Sequence, residues 1–233
     1  MLPIVILAGG LGTRIKEVTG DLPKSMVLVN GKPFLHWQLN LLRDSGYRDF
    51  VLCVSHGAER ITEYLGDGCE FGINVRYSYD GSKQMGTGGA ILNATPLLGE
   101  NFAVLYGDSY LPINFKEIEN AFLEKECKAL MTVFKNSHDF GESNIEFSNG
   151  RILRYSKKNA NESMEHIDYG LSYFNANVFS NLPIDTPIDL SDIIEELVTN
   201  DEISGFEVFQ RFYEVGSISG LKDFSELMER SSL

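Results

Sequence analysis

A glycine-rich segment followed by a basic residue carries the first chemical signal in the chain. Residues 7–14 read Leu7-Ala8-Gly9-Gly10-Leu11-Gly12-Thr13-Arg14 and follow a short apolar run. Glycines let the backbone approach a phosphate closely, so that successive N–H groups point at its oxygens. Arg14 adds a permanently charged, forked donor. The segment predicts an anion site, with a tight turn as the alternative.

Two common phosphate-binding patterns fit this segment poorly. A dinucleotide fingerprint requires a third glycine at position 15, where this chain has Ile15. No Gly-Lys-Ser/Thr follows at the spacing of a P-loop. A nicotinamide-dependent oxidoreductase would also need an acidic residue near the end of the second strand, and residues 54–56 contain none. These observations disfavour both classes.

A second glycine-rich segment spans residues 84–90, Gln-Met-Gly-Thr-Gly-Gly-Ala. Gly88 and Gly89 open a predicted helix, so we expect their N–H groups to be unpaired and available to a ligand. Gln84 offers both donor and acceptor and could read a base. An ordinary helix start and a surface glutamine are the alternatives.

The predicted elements place these segments at one edge of a sheet. Strands at 5–8, 50–55, 74–79 and 102–106 alternate with helices at 33–45, 60–65 and 88–96. This order predicts an α/β fold with a mainly parallel, Rossmann-like sheet and helices on both faces. Ligands of such sheets bind outside the carboxyl ends of the strands. Asp108, which follows the fourth strand, should therefore lie near residues 9–14.

The second half predicts a smaller, mixed β part. Strands are expected at 129–135, 144–147, 151–155, 166–174 and 206–215, with a hairpin turn at Asn149-Gly150. Helices are expected at 190–199, capped by Asp189 or Ser191, and at 219–230. No hexapeptide repeat follows, so no β-helix extension is expected. We predict one domain over residues 1–233, with a nucleotide-binding half (1–125) and an acceptor-binding and closing half (126–233).

Composition excludes some classes of partner. The net charge of −13 argues against nucleic acid, which requires a basic face. No apolar run reaches the ~18 residues that indicate a membrane span. Three scattered cysteines, Cys53, Cys69 and Cys127, are typical of a reducing cytoplasm. The sequence is compatible with a homo-oligomer and does not specify one.

The spacing of three motifs resembles the sugar-1-phosphate nucleotidylyltransferase family. That family opens with G-G-x-G-T-R, then P-K, then G-x-P. This chain has the first at residues 9–14, the second at Pro23-Lys24 and the third at Gly31-Lys32-Pro33. The resemblance implies that the loop of Leu7, Ala8, Gly9, Gly10, Gly12 and Thr13 wraps a nucleoside triphosphate, while Arg14 and Lys24 neutralise its charge.

Further roles follow from the resemblance. Gln84, Gly86, Thr87 and Gly88 match the family segment that contacts the base and ribose. The family aspartate at the position of Asp108 binds Mg²⁺, a hard cation suited to carboxylate and phosphate oxygens. The second family carboxylate is matched by Glu214, with glutamate in place of aspartate.

The acceptor side resembles the family less closely. Lys158, with Lys157 beside it, matches the lysine of an E-K-P element whose glutamate and proline are absent here. Asp168, Tyr169 and Gly170 lie where many relatives have N-x-G-I. These residues are expected to hold the sugar phosphate.

The resemblance implies transfer of a nucleotidyl group from an NTP to a sugar 1-phosphate, with Mg²⁺ and release of pyrophosphate. Chain length, residues 33–35 and residues 86–89 resemble guanylyltransferases that act on D-glycero-α-D-manno-heptose 1-phosphate or on mannose 1-phosphate. They also resemble the uridylyltransferase of N-acetylmuramate 1-phosphate. Cytidylyl transfer to another phosphorylated acceptor and a catalytically silent nucleotide-sugar sensor stay open.

Overall fold

The computed structural model describes residues 1–10, 20, 22–81, 84–136, 140–184 and 186–231. In this part of the chain the helices are α1 (Phe34–Asp44), α2 (Ala58–Leu65), α3 (Gly86–Ala94), α4 (Phe115–Glu124), α5 (Leu190–Thr199) and α6 (Ile218–Ser231). The strands are β1 (Ile4–Leu7), β2 (Leu28–Val29), β3 (Lys32–Pro33), β4 (Asp49–Val54), β5 (Asn74–Tyr79), β6 (Asn101–Tyr106), β7 (Ser109–Tyr110), β8 (Ala129–Lys135), β9 (Ile145–Ser148), β10 (Arg151–Tyr155), β11 (His166–Asn175), β12 (Ile203–Val208) and β13 (Tyr213–Glu214).

A nine-stranded sheet runs through both halves in the order β5-β4-β1-β6-β11-β8-β12-β10-β9. Strands β5, β4, β1 and β6 are mutually parallel, as the alternating pattern predicted. Strand β11 is antiparallel to both β6 and β8, and β10 is antiparallel to β12 and β9. The sheet is therefore mixed, and the prediction of a mainly parallel sheet was wrong.

A short connection explains the antiparallel pairing of β9 with β10. A parallel pair requires a long crossover, whereas antiparallel neighbours can be joined by two residues. Strands β9 and β10 are joined by the predicted turn, where Asn149 has a φ of 51° and Gly150 a φ of 79°. Both left-handed residues match the twist of a tight hairpin, which Asn-Gly favours.

Hydrophobic residues cover both faces of the sheet, and helices pack on each. Ile4 and Ile6 of β1 join one buried layer with α1, α2 and α4. Val5, between them, joins the opposite layer with α3 and α5. This alternation follows from the two-residue period of a strand, and it confirms the prediction of helices on both faces.

The last predicted strand, at 206–215, divides into two strands of different sheets. β12 pairs with β8 in the main sheet, whereas β13 pairs with β7. Between them, the ring of Phe212 packs against those of Phe140 and Tyr169. This departure carries Glu214 to Ser109, next to the end of β6.

The first turn of α5 has one of its two predicted caps. Asp189 caps α5 by accepting a hydrogen bond from the Ser191 N–H group, which settles the choice between the two predicted caps. The described residues form no β-helix. None of the helices in the described ranges has the length and apolar character that a membrane crossing needs.

Candidate active site

A cleft of about 450 Å³ opens at the carboxyl ends of β5, β4, β1 and β6. This is the edge at which open α/β sheets bind ligands. The structure brings together in its lining these residues singled out from the sequence: Leu7, Ala8, Gly9, Gly10, Lys24, Gln84, Gly86, Thr87 and Asp108. Gly12, Thr13 and Arg14 lie outside the described residues.

The chain leaving β1 packs closely against both neighbouring strand ends. The Ser55 hydroxyl donates to the carbonyl of Gly9 at 2.8 Å. A β-carbon at Gly9 would stand 2.7 Å from that hydroxyl oxygen, and one at Gly107 would stand 2.6 Å from the carbonyl oxygen of Leu7. A side chain at Gly107 would clash with the backbone of Leu7, and one at Gly9 would require the Ser55 hydroxyl to move. Because these two glycines lack side chains, the loop packs directly against the end of the sheet.

Lys24 and Asp108 form an ion pair at one end of the cleft. The Lys24 Nζ lies 3.0 Å from Asp108 Oδ2, with side-chain exposures of 17% and 27%. Lys24 begins a short 3₁₀ turn, and Asp108 lies two residues after the end of β6. A half-buried cation beside a carboxylate can bind an anion and a metal ion side by side, because each group complements one of the two charges.

Gln38 of α1 supports the turn that carries Asp108. Its side-chain amide donates to the carbonyls of Tyr106, at 2.9 Å, and Ser109, at 2.7 Å. These two carbonyls flank Gly107-Asp108, and Gln38 is 1% exposed. Gln38 lies in a helix and belongs to no recognisable motif, so it was not singled out from the sequence.

Glu214 reaches the same end of the cleft through the pairing of β13 with β7. Its carboxylate accepts hydrogen bonds from the Gly216 N–H group and the Ser217 hydroxyl. A β-carbon at Gly216 would stand 2.8 Å from Glu214 Oε2, and 3.2 Å from both Asp108 Oδ2 and Lys24 Nζ. The three charged groups therefore surround one glycine.

The residue types at this end of the cleft fit a hard divalent cation. Carboxylate oxygens from Asp108 and Glu214 are the ligands that Mg²⁺ prefers, with substrate phosphates and water completing its shell. No group of three or more His, Cys, Asp or Glu side chains suited to a metal occurs among the described residues. A site with two carboxylates depends on the substrate for its remaining ligands.

The second glycine segment differs from expectation. The N–H groups of Gly88 and Gly89 both donate to the carbonyl of Ile188, at 2.9 and 3.2 Å. The prediction that these groups are free was wrong, because the segment leading into α5 crosses the first turn of α3. Gly88 is buried and is not among the residues that line the cleft.

Gly86 and Thr87 face the cleft and are fixed by the same crossing segment. Gly86 has a φ of +73°, and a β-carbon there would stand 2.4 Å from the carbonyl oxygen of Ile188. The Thr87 hydroxyl donates to Asp189 at 3.1 Å and accepts from the Leu190 N–H at 2.8 Å. The cleft wall is thus tied to the start of α5.

Asp168 lies behind the cleft in the second half of the chain. It accepts hydrogen bonds from the Gly170 N–H, at 2.9 Å, and from the hydroxyl of Tyr106, at 3.3 Å. Burial raises the pKa of Asp168, opposed by the Gly170 N–H group, the Lys157 charge and the Tyr106 hydroxyl. Gly170 has a φ of +104°, at an irregularity of β11. Tyr169 points the other way, into the core.

The two candidate lysines differ in their surroundings. Lys158 Nζ lies 3.8 Å from Asp192 of α5 and its side chain is 81% exposed. Lys157 Nζ lies 3.9 Å from Asp189, and its charge acts on both Asp189 and Asp168. Asp189 accepts a hydrogen bond from Thr87, which lines the cleft, so Lys157 lies nearer to the cleft than Lys158 does.

Several lining residues were not singled out from the sequence. Ser55 and Asp80 each follow directly after a strand, so their position at the carboxyl edge was an available signal. Ser25, next to Lys24, is buried, and its hydroxyl has no hydrogen-bond partner in the described part of the chain.

Comparison with known proteins agrees with this geometry. The sequence profile of the nucleotidyl transferase family matches residues 4–231. The chain belongs to this family. The resemblance drawn from the three opening motifs is thereby confirmed, and the match extends through both halves of the sheet.

Two relatives and one solved structure show the range of the family. A UTP–glucose-1-phosphate uridylyltransferase of Synechocystis is 30% identical, and the alignment covers 83% of this chain and 54% of that protein. A D-glycero-alpha-D-manno-heptose 1-phosphate guanylyltransferase of Campylobacter jejuni is 30% identical over 82% and 84% of the two chains. HddC from Yersinia pseudotuberculosis, crystallised with GMP-PN, shares the fold with a TM-score of 0.82 at 24% identity, covering 98% of this chain and 100% of that one.

Proposed function

We propose that this chain transfers a nucleotidyl group from a nucleoside triphosphate to a sugar 1-phosphate and releases pyrophosphate. The observation that carries the proposal is the Lys24–Asp108 pair, set beside the glycine loop at the carboxyl edge of the sheet. Membership of the nucleotidyl transferase family supports it. The relatives named above act on sugar 1-phosphates, by their names.

The reaction brings two anions together. An oxygen of the sugar phosphate attacks the α-phosphorus, and the bond from that phosphorus to the bridging oxygen breaks as pyrophosphate leaves. A phosphate oxygen is already a nucleophile, so the site needs no general base. Catalysis then consists of positioning and charge neutralisation. Lys24 supplies a cation for this purpose, and we assign the same task to Arg14.

Asp108 and Glu214 would hold Mg²⁺ at this site. The ion supplies charge neutralisation at the phosphate oxygens. Gly216 leaves space among the charged groups, since a β-carbon there would contact Asp108, Glu214 and Lys24. Gln38 keeps Asp108 in place through the two carbonyls that flank it.

The acceptor is assigned to the region around Asp168 and Gly170. The structure favours Lys157 over Lys158 for the sugar phosphate, because Lys157 lies near Asp168 and Asp189 whereas Lys158 is largely exposed. Many relatives have asparagine at the position of Asp168, and the Asp168 carboxylate can likewise accept hydrogen bonds from sugar hydroxyls.

We propose GTP as the nucleotide and a heptose or mannose 1-phosphate as the acceptor. The Campylobacter guanylyltransferase supports this choice, since it aligns over most of both chains. Uridylyl transfer is the second candidate, favoured by the equal identity to the Synechocystis protein.

Turnover tests both candidates directly. Each of the four ribonucleoside triphosphates and dTTP is incubated with heptose, mannose, glucose and N-acetylmuramate 1-phosphates in the presence of MgCl₂, and pyrophosphate release is followed. We expect release that requires the triphosphate, the sugar phosphate and the metal together. Lack of release from every combination would contradict the proposed function, and a preference for UTP would replace the first candidate with the second.

A further inference from the structure

Asp80 is a carboxylate at the opposite end of the cleft from Asp108. It follows directly after β5, and the sheet order β5-β4-β1-β6 separates its strand from that of Asp108 by three strand spacings. At about 4.8 Å per spacing, the two strand ends stand roughly 14 Å apart. Both residues line the same cleft. The cleft can therefore hold an extended ligand whose two ends meet different chemistry.

One oxygen atom of Asp80 has no hydrogen-bond partner in the part of the chain that the structure describes. The carboxylate accepts a hydrogen bond from the backbone N–H of Met85. Its Oδ1 is buried and has no hydrogen-bond partner within the described ranges. Burial raises the pKa of Asp80, and the Met85 N–H group opposes that effect. A buried, unpaired carboxylate oxygen is costly, so a ligand that donates to it gains stability.

Charge indicates which part of a nucleotide meets Asp80. A carboxylate repels a triphosphate, whereas Lys24 and the glycine loop attract it at the other end of the cleft. This step rests on the proposed function, in which the phosphates lie at the Lys24 end. The uncharged base is then the part of the nucleotide that reaches Asp80.

The hydrogen-bonding edges of the bases differ in what they offer a carboxylate. Guanine presents two adjacent donors, N1–H and the N2 amino group. Uracil and thymine present a single N–H between two carbonyl oxygens. Cytosine and adenine place an amino group beside a bare ring nitrogen. An ionised carboxylate only accepts hydrogen bonds, so the paired donors of guanine suit it best.

We propose that Asp80 determines nucleotide specificity by accepting hydrogen bonds from N1–H and the N2 amino group of guanine. Asp80 is then a specificity-determining residue of the nucleotide subsite. Bonds to a charged acceptor contribute about 1.5–3 kcal/mol each, which corresponds to roughly 10-fold to 150-fold in affinity.

Calorimetric binding of GTP, ITP, XTP and UTP to the full chain tests the proposal without depending on turnover. ITP lacks the N2 amino group, and XTP has a carbonyl oxygen in its place. The wild type should bind GTP at least about 10-fold more tightly than ITP. Asp80→Asn keeps one side-chain oxygen that can accept from the Met85 N–H group, but it replaces the other carboxylate oxygen with an NH₂ donor. This variant should bind GTP and ITP within about threefold of each other and should prefer XTP to GTP.

Asp49→Asn is the matched control, because Asp49 is exposed at the start of β4, on the opposite edge of the sheet. It should keep the wild-type ratio of GTP to ITP. A wild-type ratio near one, a preference for UTP, or an unchanged ratio in Asp80→Asn would overturn this inference alone. Failure of every triphosphate to bind would overturn both it and the proposed function.

Discussion

Replacing Gln38 with methionine tests how the active-site turn is held. The side chain of Gln38 is buried and donates to the carbonyls of Tyr106 and Ser109, on either side of Asp108. Methionine has a similar length and volume but no donor. The substitution Gln38→Met should therefore remove both hydrogen bonds and leave the packing of α1 nearly intact.

The magnitude follows from the groups left unpaired. Each buried carbonyl without a partner costs about 1–3 kcal/mol. The substitution also removes Gln38 Oε1, a buried oxygen that has no hydrogen-bond partner among the described residues, and this gain offsets part of the loss. We expect a net loss of roughly 1–4 kcal/mol in the free energy of unfolding. The melting temperature should fall by about 2–4 °C for each kcal/mol of stability lost.

The effect on catalysis should exceed the effect on substrate binding. A displacement of about 1 Å at a catalytic group can cost 100-fold in rate, so we expect kcat to fall roughly 10-fold to 100-fold. The KM for the triphosphate should change far less. Pyrophosphate release and thermal melting are measured on the same preparation. Asn40→Met, two residues further along α1, is the control and should leave kcat unchanged. A folded Gln38→Met variant with kcat within about twofold of the wild type would refute the positioning role.

Four further substitutions address the rest of the site. Gly216→Ala places a methyl group against Glu214, Asp108 and Lys24 and should lower kcat by about 10-fold or more. A variant with wild-type kcat in steady-state assays would show that these three groups need not be held together. Lys157→Ala should raise the KM for the sugar phosphate by about 10-fold and Lys158→Ala by less than about twofold, and the reverse order would return the assignment to Lys158. Asp168→Asn tests the pH dependence of stability. Burial raises the pKa of Asp168, so the protonated carboxyl stabilises the fold fully below the ordinary aspartate pKa. This stabilisation is lost as the pH rises through the raised pKa. The variant should therefore gain stability relative to the wild type as the pH rises above the ordinary aspartate pKa, and parallel urea-unfolding profiles would contradict this.

Local patterns were sufficient for most of the parallel half of the fold. Short apolar runs predicted β1, β4 and β6, since buried parallel strands are apolar on both faces, whereas alternation predicted β5. The turn at Asn149-Gly150 predicted the β9–β10 hairpin through its left-handed residues. Helix α4 was missed although its signal was present: Asn114 caps it, and Phe115, Ile118 and Phe122 recur at helical spacing.

Strand direction in the second half could not be read locally. Strand β11 inserts between β6 and β8 and runs antiparallel to both, and this placement depends on the whole sheet. A strand carries the same alternation in either direction, so its sequence does not reveal which neighbours it joins. The departure of β13 from the main sheet depends likewise on a distant partner, β7.

The site shows the same division between local and long-range information. The motifs at Gly9, Lys24 and Asp108 were recognisable because backbone approach and charge are local requirements. The hydrogen bond from the Gly88 N–H group to the Ile188 carbonyl could not be recognised in this way, since about a hundred residues separate the two in the sequence. The choice between Lys157 and Lys158 depends on side-chain direction, which adjacent residues on a loop do not reveal.

The kcat of Asp108→Asn under saturating Mg²⁺, measured together with its melting temperature, tests most directly whether the chemistry occurs at the Lys24–Asp108 end of the cleft. Asparagine keeps the shape of aspartate and serves turns and caps nearly as well, so a structural role would leave both activity and stability in place. A neutral amide is a poor ligand for a hard cation. We expect turnover to be abolished while the melting temperature stays close to that of the wild type. Activity within a few-fold of the wild type would contradict the account and place the metal and the reaction elsewhere.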